Sequence, residues 1–217
     1  MFRHLSAAVI GLSLLALPSL AAAQDVTAPE AQNAQNYAES VIERSGASAY
    51  FIASSLEGKP LATHGPSGMK CVFSTDEYDR IALFEETQNN RAAASCMYLH
   101  GRISFTVTAQ EFDEFTSAAT VLESIASNFE ASNPKATRAH LDYVIIDKWN
   151  GSDVYTGVWN IDNDGVATTK ITFTSVKDGW VYIGSAVFPT PSEAISDVFV
   201  YAALVYIGSI PDPRLAT

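Results

Sequence analysis

The chain has 217 residues, of which 47% are apolar, and its formal net charge at pH 7 is −11. The apolar fraction excludes intrinsic disorder, because it provides enough surface for a buried core. The acidic residues are spread along the chain and repel phosphate backbones, which argues against nucleic-acid binding.

The first 23 residues have the pattern of a cleavable secretory signal peptide. A basic start, an apolar stretch at 7–17 and small residues at 21–23 follow one another in the expected order. As a helix, the apolar stretch of about 11 residues spans roughly 16 Å, while a bilayer core is about 30 Å thick. We therefore expect a mature chain that begins near Gln24, has no membrane span and is exported, more to the periplasm than to the extracellular medium.

The mature chain contains two cysteines, Cys71 and Cys96. An even number of cysteines in an exported protein favours pairing, because the compartment is oxidising. We predict one disulfide between them, which would stabilise the fold by about 3 kcal/mol through the loop that it closes.

The first half of the mature chain is predicted to contain a helix, a run of strands and a second helix. Apolar residues recur at helical spacing from Pro29 to the glycine stop at Gly46. A helix is also predicted at 110–130, where an apolar stripe recurs every three or four residues. Strands are predicted between these helices at 50–54, 61–64, 69–73, 80–84, 95–99 and 102–108.

The second half is predicted to contain strands and then a last helix. Strands are expected at 141–146, 154–161, 166–176 and 180–188, with hairpin turns at 163–165 and 177–179. The last helix is expected at 192–208. Its segment Val198–Ile207 is apolar on every face and too short to span a bilayer, which predicts a helix buried in the centre of the fold.

Runs of strands between helices indicate an α+β fold with antiparallel sheets. We expect a single globular domain over residues 24–217, composed of two β-then-helix halves at 24–133 and 134–217. The element order resembles that of the α/β/α sandwiches of PsbP-like and Mog1-like proteins. That resemblance implies a fold and no particular activity.

The candidate catalytic residues are His64, Ser67, His100 and His140. A Ser–His or Cys–His pair is conceivable, because His64 lies near Ser67 in the sequence and His100 lies near Cys96. The segment 67–70 also fits the Ser-x-x-Lys motif of penicillin-binding enzymes. In that family the serine opens a helix, whereas here a turn precedes it and a strand is predicted to follow.

No metal site and no cofactor are predicted. Residues 160–165 match the first half of an EF-hand loop, but Ile171 stands where that loop requires a glutamate, and a hairpin tip is the better interpretation. The other acidic groups are interpreted as solvated faces: Asp76, Glu77, Asp79, Asp142 and Asp147.

Trp159 and Trp180 are expected to lie on neighbouring strands of the second half and to face the same side. Such a pair stabilises a sheet by roughly 0.2 to 1 kcal/mol. A ligand-stacking surface is the alternative interpretation of the two rings.

Two functional hypotheses follow. The first is a non-catalytic exported module that binds an envelope protein or a small ligand, because no recognisable catalytic motif is present. The second is a small, hydrolase-like exported enzyme, whose site the fold assembles from scattered histidine, serine and carboxylate residues.

Overall fold

The computed structural model describes residues 27–84, 93–112, 116–139, 146–163, 165–190 and 195–212. The predicted signal peptide and His140 lie outside these ranges. Within them the chain forms three helices, which are α1 (Ala28–Arg44), α2 (Ala118–Ser132) and α3 (Ile195–Ser209). The strands are β1 (Phe51–Leu56), β2 (Lys59–His64), β3 (Lys70–Val72), β4 (Arg80–Phe84), β5 (Ala93–His100), β6 (Ile103–Glu111), β7 (Ala136–Arg138), β8 (Lys148–Trp149), β9 (Ser152–Asn163), β10 (Val166–Lys177) and β11 (Trp180–Pro189).

The strands form two antiparallel sheets, which confirms the predicted α+β class. The large sheet has the order β4-β5-β6-β11-β10-β9-β7, with β8 paired to β9, and the small sheet has the order β1-β2-β3. Strands β6 and β11 pair with each other, so residues of both predicted halves lie in one continuous sheet.

Helix α1 begins and ends on local signals. Thr27 and Glu30 form a capping box, and Gly46, in the left-handed region at φ 66°, follows the last turn. The buried side of α1 is apolar and packs against the small sheet and β4; it consists of Ala34, Ala38, Val41 and Ile42.

Helix α2 is shorter than predicted. Strand β6 continues through Gln110 and Glu111, which pair with Val181 and Trp180 of β11. The helix begins only after Ser117, whose side chain accepts a hydrogen bond from the Thr120 amide. Pairing with a distant strand therefore overrides the helical spacing of the apolar residues at its start.

The two faces of the large sheet carry different cores. On one face, Ser175 Oγ of β10 lies 2.7 Å from Tyr206 Oη of α3, in the main core. On the other face, Thr174 Oγ1 donates to the Ala118 carbonyl of α2 at 2.9 Å. Successive residues of a strand point to opposite faces, so α3 and α2 cover opposite sides of the same strand.

The predicted disulfide is present. Cys71 of β3 and Cys96 of β5 are both fully buried, and their Cα atoms are 5.9 Å apart. The bond therefore joins the small sheet to the large one.

Helix α3 differs from its prediction. Phe199, Ala202, Ala203 and Tyr206 are buried, but the opposite side exposes large apolar side chains. Val200 is 54% exposed, Tyr201 39% and Leu204 56%. The helix is therefore not buried in the centre of the fold as predicted, because the sheets cover one side only. No helix in the described ranges is long and apolar enough to cross a bilayer.

Candidate functional site: an apolar groove beside helix α3

A groove of about 560 Å³ lies between the exposed side of α3 and the two sheets. Three short segments form its other walls: the hairpin tip at 58–60, the loop at 72–75 and residues 98–99 of β5. Helix α3 contributes Tyr201, Leu204, Val205, Gly208 and Ser209. This volume is typical of a small-molecule site.

Local geometry fixes the walls of the groove. The hairpin between β1 and β2 turns through Glu57 and Gly58, whose φ angles of 51° and 75° suit a tight two-residue turn. The amide of Phe73 donates to the Pro60 carbonyl at 2.9 Å, which holds the loop beside the hairpin. The Cys71–Cys96 bond lies one residue from Val72 and ties this wall to β5.

The buried carboxylate of Asp79 anchors the loop at 72–75 through hydrogen bonds on the side away from the groove. Asp79 is fully buried, and its carboxylate accepts hydrogen bonds from the Tyr37 hydroxyl at 3.1 Å, the Asp76 amide at 3.0 Å and the Ser74 hydroxyl at 3.2 Å. Arg44 also donates to the Asp79 carbonyl. The interpretation of Asp79 as part of a solvated face is wrong, because the residue is fully buried and Tyr37 of the distant helix α1 covers its carboxylate.

The surface of the groove is mainly apolar. Its walls include Pro60, Val72, Phe73, Leu99, Leu204 and Val205. Tyr98 is 7% exposed, and burial raises the pKa of its hydroxyl well above the usual range, so this group stays neutral. Lys59 is the one charged residue among the described residues that line the groove.

His64 and Ser67 meet, but away from the groove. His64 Nδ1 lies 2.8 Å from Ser67 Oγ, and that oxygen accepts a hydrogen bond from the Met69 amide at 3.1 Å. The Tyr182 hydroxyl donates to the Ser67 carbonyl at 2.7 Å. His64 is 1% exposed and Ser67 7%, so the pair is enclosed within the turn that joins β2 to β3.

The surroundings of His64 are apolar. Its ring lies 5.0 Å from the Phe51 ring and 5.8 Å from the Trp180 ring. Burial lowers the pKa of His64 to about 4, so the ring is neutral at physiological pH. These contacts suit a polar pair that closes a turn, with the serine hydroxyl shared between the ring and the backbone.

The remaining histidine predictions are not tested. His100 ends β5 opposite Ile103, but its side chain lies outside the described residues, as does the whole of His140. The lysine of the Ser-x-x-Lys segment, Lys70, is the first residue of β3, and the serine lies in the preceding turn. The segment therefore forms a turn and a strand, as predicted, and not the helix of penicillin-binding enzymes.

Trp159 and Trp180 do not share a surface. Strand β10 lies between β9 and β11, and the prediction that the two residues lie on neighbouring strands is wrong. Trp159 is fully buried beneath α2, where its Nε1 donates to Glu130 at 2.9 Å. Trp180 lies on the opposite face, against His64. The two rings therefore form no common stacking platform.

The calcium-like segment forms a hairpin tip. Asp162 Oδ1 accepts a hydrogen bond from the Gly165 amide at 2.9 Å, which closes the turn between β9 and β10. Among the residues that the structure describes, no cluster of three histidine, cysteine or acidic side chains could hold a metal ion.

No protein-family model matches this chain, and no curated protein matches it in sequence. Among solved structures it is similar to PA94 from Pseudomonas aeruginosa, a protein of unknown function, with 13% identity, a TM-score of 0.39 and coverage of 76% of this chain and 99% of that one. It is also similar to LpqN, involved in cell envelope biogenesis of Mycobacterium tuberculosis, with 14% identity, a TM-score of 0.36 and coverage of 63% and 86%.

Proposed function

We propose that this protein is an exported, non-catalytic binding module of the cell envelope, and that it holds a small apolar ligand in the groove beside α3. The observation that carries the proposal is the groove itself, which has the volume of a ligand site and is lined mainly by apolar side chains. Leu204, one of these side chains, is 56% exposed. Covering it would remove apolar surface from water, which favours binding.

Contacts within the protein hold the walls of the groove in place, which favours a preformed site. The Phe73–Pro60 backbone hydrogen bond, the Cys71–Cys96 bond and the buried carboxylate of Asp79 hold its walls before any ligand arrives. A preformed site loses less conformational entropy when it binds than a site that must first order itself.

Export is the second part of the proposal. The predicted signal peptide at residues 1–23 and the buried disulfide both suit an oxidising compartment outside the cytoplasm. Of the possible compartments we favour the periplasm over the extracellular medium.

A fluorescence titration with Nile red, a neutral apolar dye, tests the binding site. We expect saturable binding of about one dye per chain. Leu204→Glu places a charge against the apolar wall and should lower the dye affinity by about tenfold or more. Val166→Glu makes the same kind of change at the tip of the β9–β10 hairpin, where Val166 is 60% exposed, and should leave the affinity unchanged.

Both substituted side chains are largely exposed, so we expect each variant to keep its free energy of unfolding within about 0.5 kcal/mol. Urea melts of the variants check this. If the dye does not saturate, or if the two variants weaken its binding equally, the groove is not the binding site and the proposal fails.

A further inference from the structure

We propose, as an extension of the proposed function, that the groove binds an amphiphile with an unbranched alkyl chain and an anionic head group, and that Lys59 contacts this head group. The alkyl chain matches the apolar walls, and the head group matches the one charged side chain that the described residues place at the groove. The structure thereby assigns the ligand class from the chemistry of the lining.

Lys59 is available for such a contact. It begins β2 at the hairpin tip, is exposed, and forms no salt bridge with any residue in the described ranges. An ammonium group in this position can donate to a carboxylate, sulfate or phosphate without first losing another partner.

The serine and threonine hydroxyl groups of the groove already form hydrogen bonds within the protein. Thr75 donates to the Ser74 carbonyl at 2.6 Å, and Ser209 donates to the Val205 carbonyl at 2.9 Å. Ser74 Oγ lies within hydrogen-bond distance of the Asp79 carboxylate and of the Leu99 carbonyl. The protons of these hydroxyl groups are therefore in use, so a ligand that needs hydrogen-bond donors would have to displace these bonds, whereas an alkyl chain leaves them intact.

The nearby carboxylates do not line the groove. Glu57 stands at the hairpin tip outside the lining, and the Asp79 carboxylate is buried behind the loop with three hydrogen-bond donors. The net charge of −11 is the sum over the whole chain and is not the local charge at the groove. At physiological ionic strength, exposed charges more than about 8 Å away are largely screened, so distant acidic residues have little effect on an anion bound at Lys59.

Three matched ligands test the head group. Dodecanoate, dodecanol and dodecyltrimethylammonium carry the same alkyl chain with an anionic, a neutral and a cationic head. Each would displace Nile red, the two ionic ligands below their micelle concentrations and dodecanol below its solubility limit. We expect dodecanoate to bind about fivefold more tightly than dodecanol, as for one exposed charge pair, and the cationic ligand to bind most weakly. The advantage of dodecanoate should shrink as the salt concentration rises.

Lys59→Gln should remove the advantage of dodecanoate, so that it binds no more tightly than dodecanol does to the same variant. Lys148→Gln removes an exposed lysine of β8 that does not line the groove, and should change neither affinity. Circular dichroism melts of both variants establish that they are folded.

The outcomes separate the two proposals. If dodecanoate and dodecanol bind equally in the wild type and in Lys59→Gln, the head-group inference is overturned while the groove remains a binding site. If no ligand binds, the proposed function itself fails. If light scattering shows a dimer that Leu204→Glu dissociates, a second copy of the chain occupies the groove, and the amphiphile inference is overturned.

Discussion

The two ends of strand β2 lie in regions of opposite character. At one end, Lys59 and Pro60 line an apolar groove that is open to solvent. At the other end, His64 meets Ser67 in a polar contact from which solvent is excluded. The residue types of the second region are those of catalysis, yet the first region is the one that a ligand can reach. Accessibility, which the fold decides, therefore counts for more than residue type in the choice of a candidate binding site.

Removal of the disulfide should have the largest effect. It tests this comparison because Cys71 lies between the two regions in the sequence. A Cys71→Ala, Cys96→Ala double variant should lower the free energy of unfolding by about 3 kcal/mol, measured by urea denaturation. Nile red affinity should fall as well, since the loop at 72–75 loses its covalent tie to β5. Unchanged dye affinity in a folded double variant would show that the groove does not depend on this bond.

The pH dependence of stability tests the enclosed character of His64. Its pKa is about 4 in the folded state and 6.5 in a model peptide, so the unfolded chain binds the proton first as the pH falls. Stability is therefore retained above pH 6.5 and lost towards pH 4, by about 2 kcal/mol between pH 7 and pH 5.

The variant that tests this pH dependence is His64→Asn, which keeps a polar atom near the position of Nδ1 and does not titrate. Urea melts across the pH range should show a shallower loss of stability in this variant than in the wild type. Equal slopes of stability against pH in the two proteins would mean that His64 is accessible to protons in the folded state. The region around His64 would then not be closed to solvent.

The smallest effect concerns Ser67. Ser67→Ala removes the acceptor of the Met69 amide and the partner of His64, and should lower the free energy of unfolding by about 1 to 2 kcal/mol without changing dye affinity. Ser55→Ala on strand β1 is the matched control and should cost less than about 0.5 kcal/mol. Hydrolysis of an ester substrate that Ser67→Ala abolishes in a folded protein would instead support the enzyme hypothesis.

Much of the fold could be predicted from local signals. The glycine after α1, the turns at 163–165 and 177–179 and the alternating strands depend on the backbone preferences of a few neighbouring residues. The Cys71–Cys96 pair required only the count of cysteines and an oxidising context. These predictions agree with the structure because each depends on information that lies close together in the chain.

The groove could not be predicted in this way. Its walls come from segments near residues 59, 73, 98 and 204, which only the pairing of distant strands brings together. One sequence signal did point to it, the apolar run Val198–Ile207, but an apolar surface looks the same in sequence whether a sheet or a ligand covers it. The exposed side of α3 became visible only once the sheets were seen to cover the other side.

The sequence by itself determined the class of fold, the positions of most strands and the disulfide, because backbone propensity, turn chemistry and cysteine pairing act locally or by simple count. Only the tertiary structure decided where α2 begins and which faces Trp159 and Trp180 occupy. It also decided that His64 is shielded from solvent while the groove is open to it. These properties depend on which elements cover one another, and burial is set by contacts between residues that are far apart in the chain.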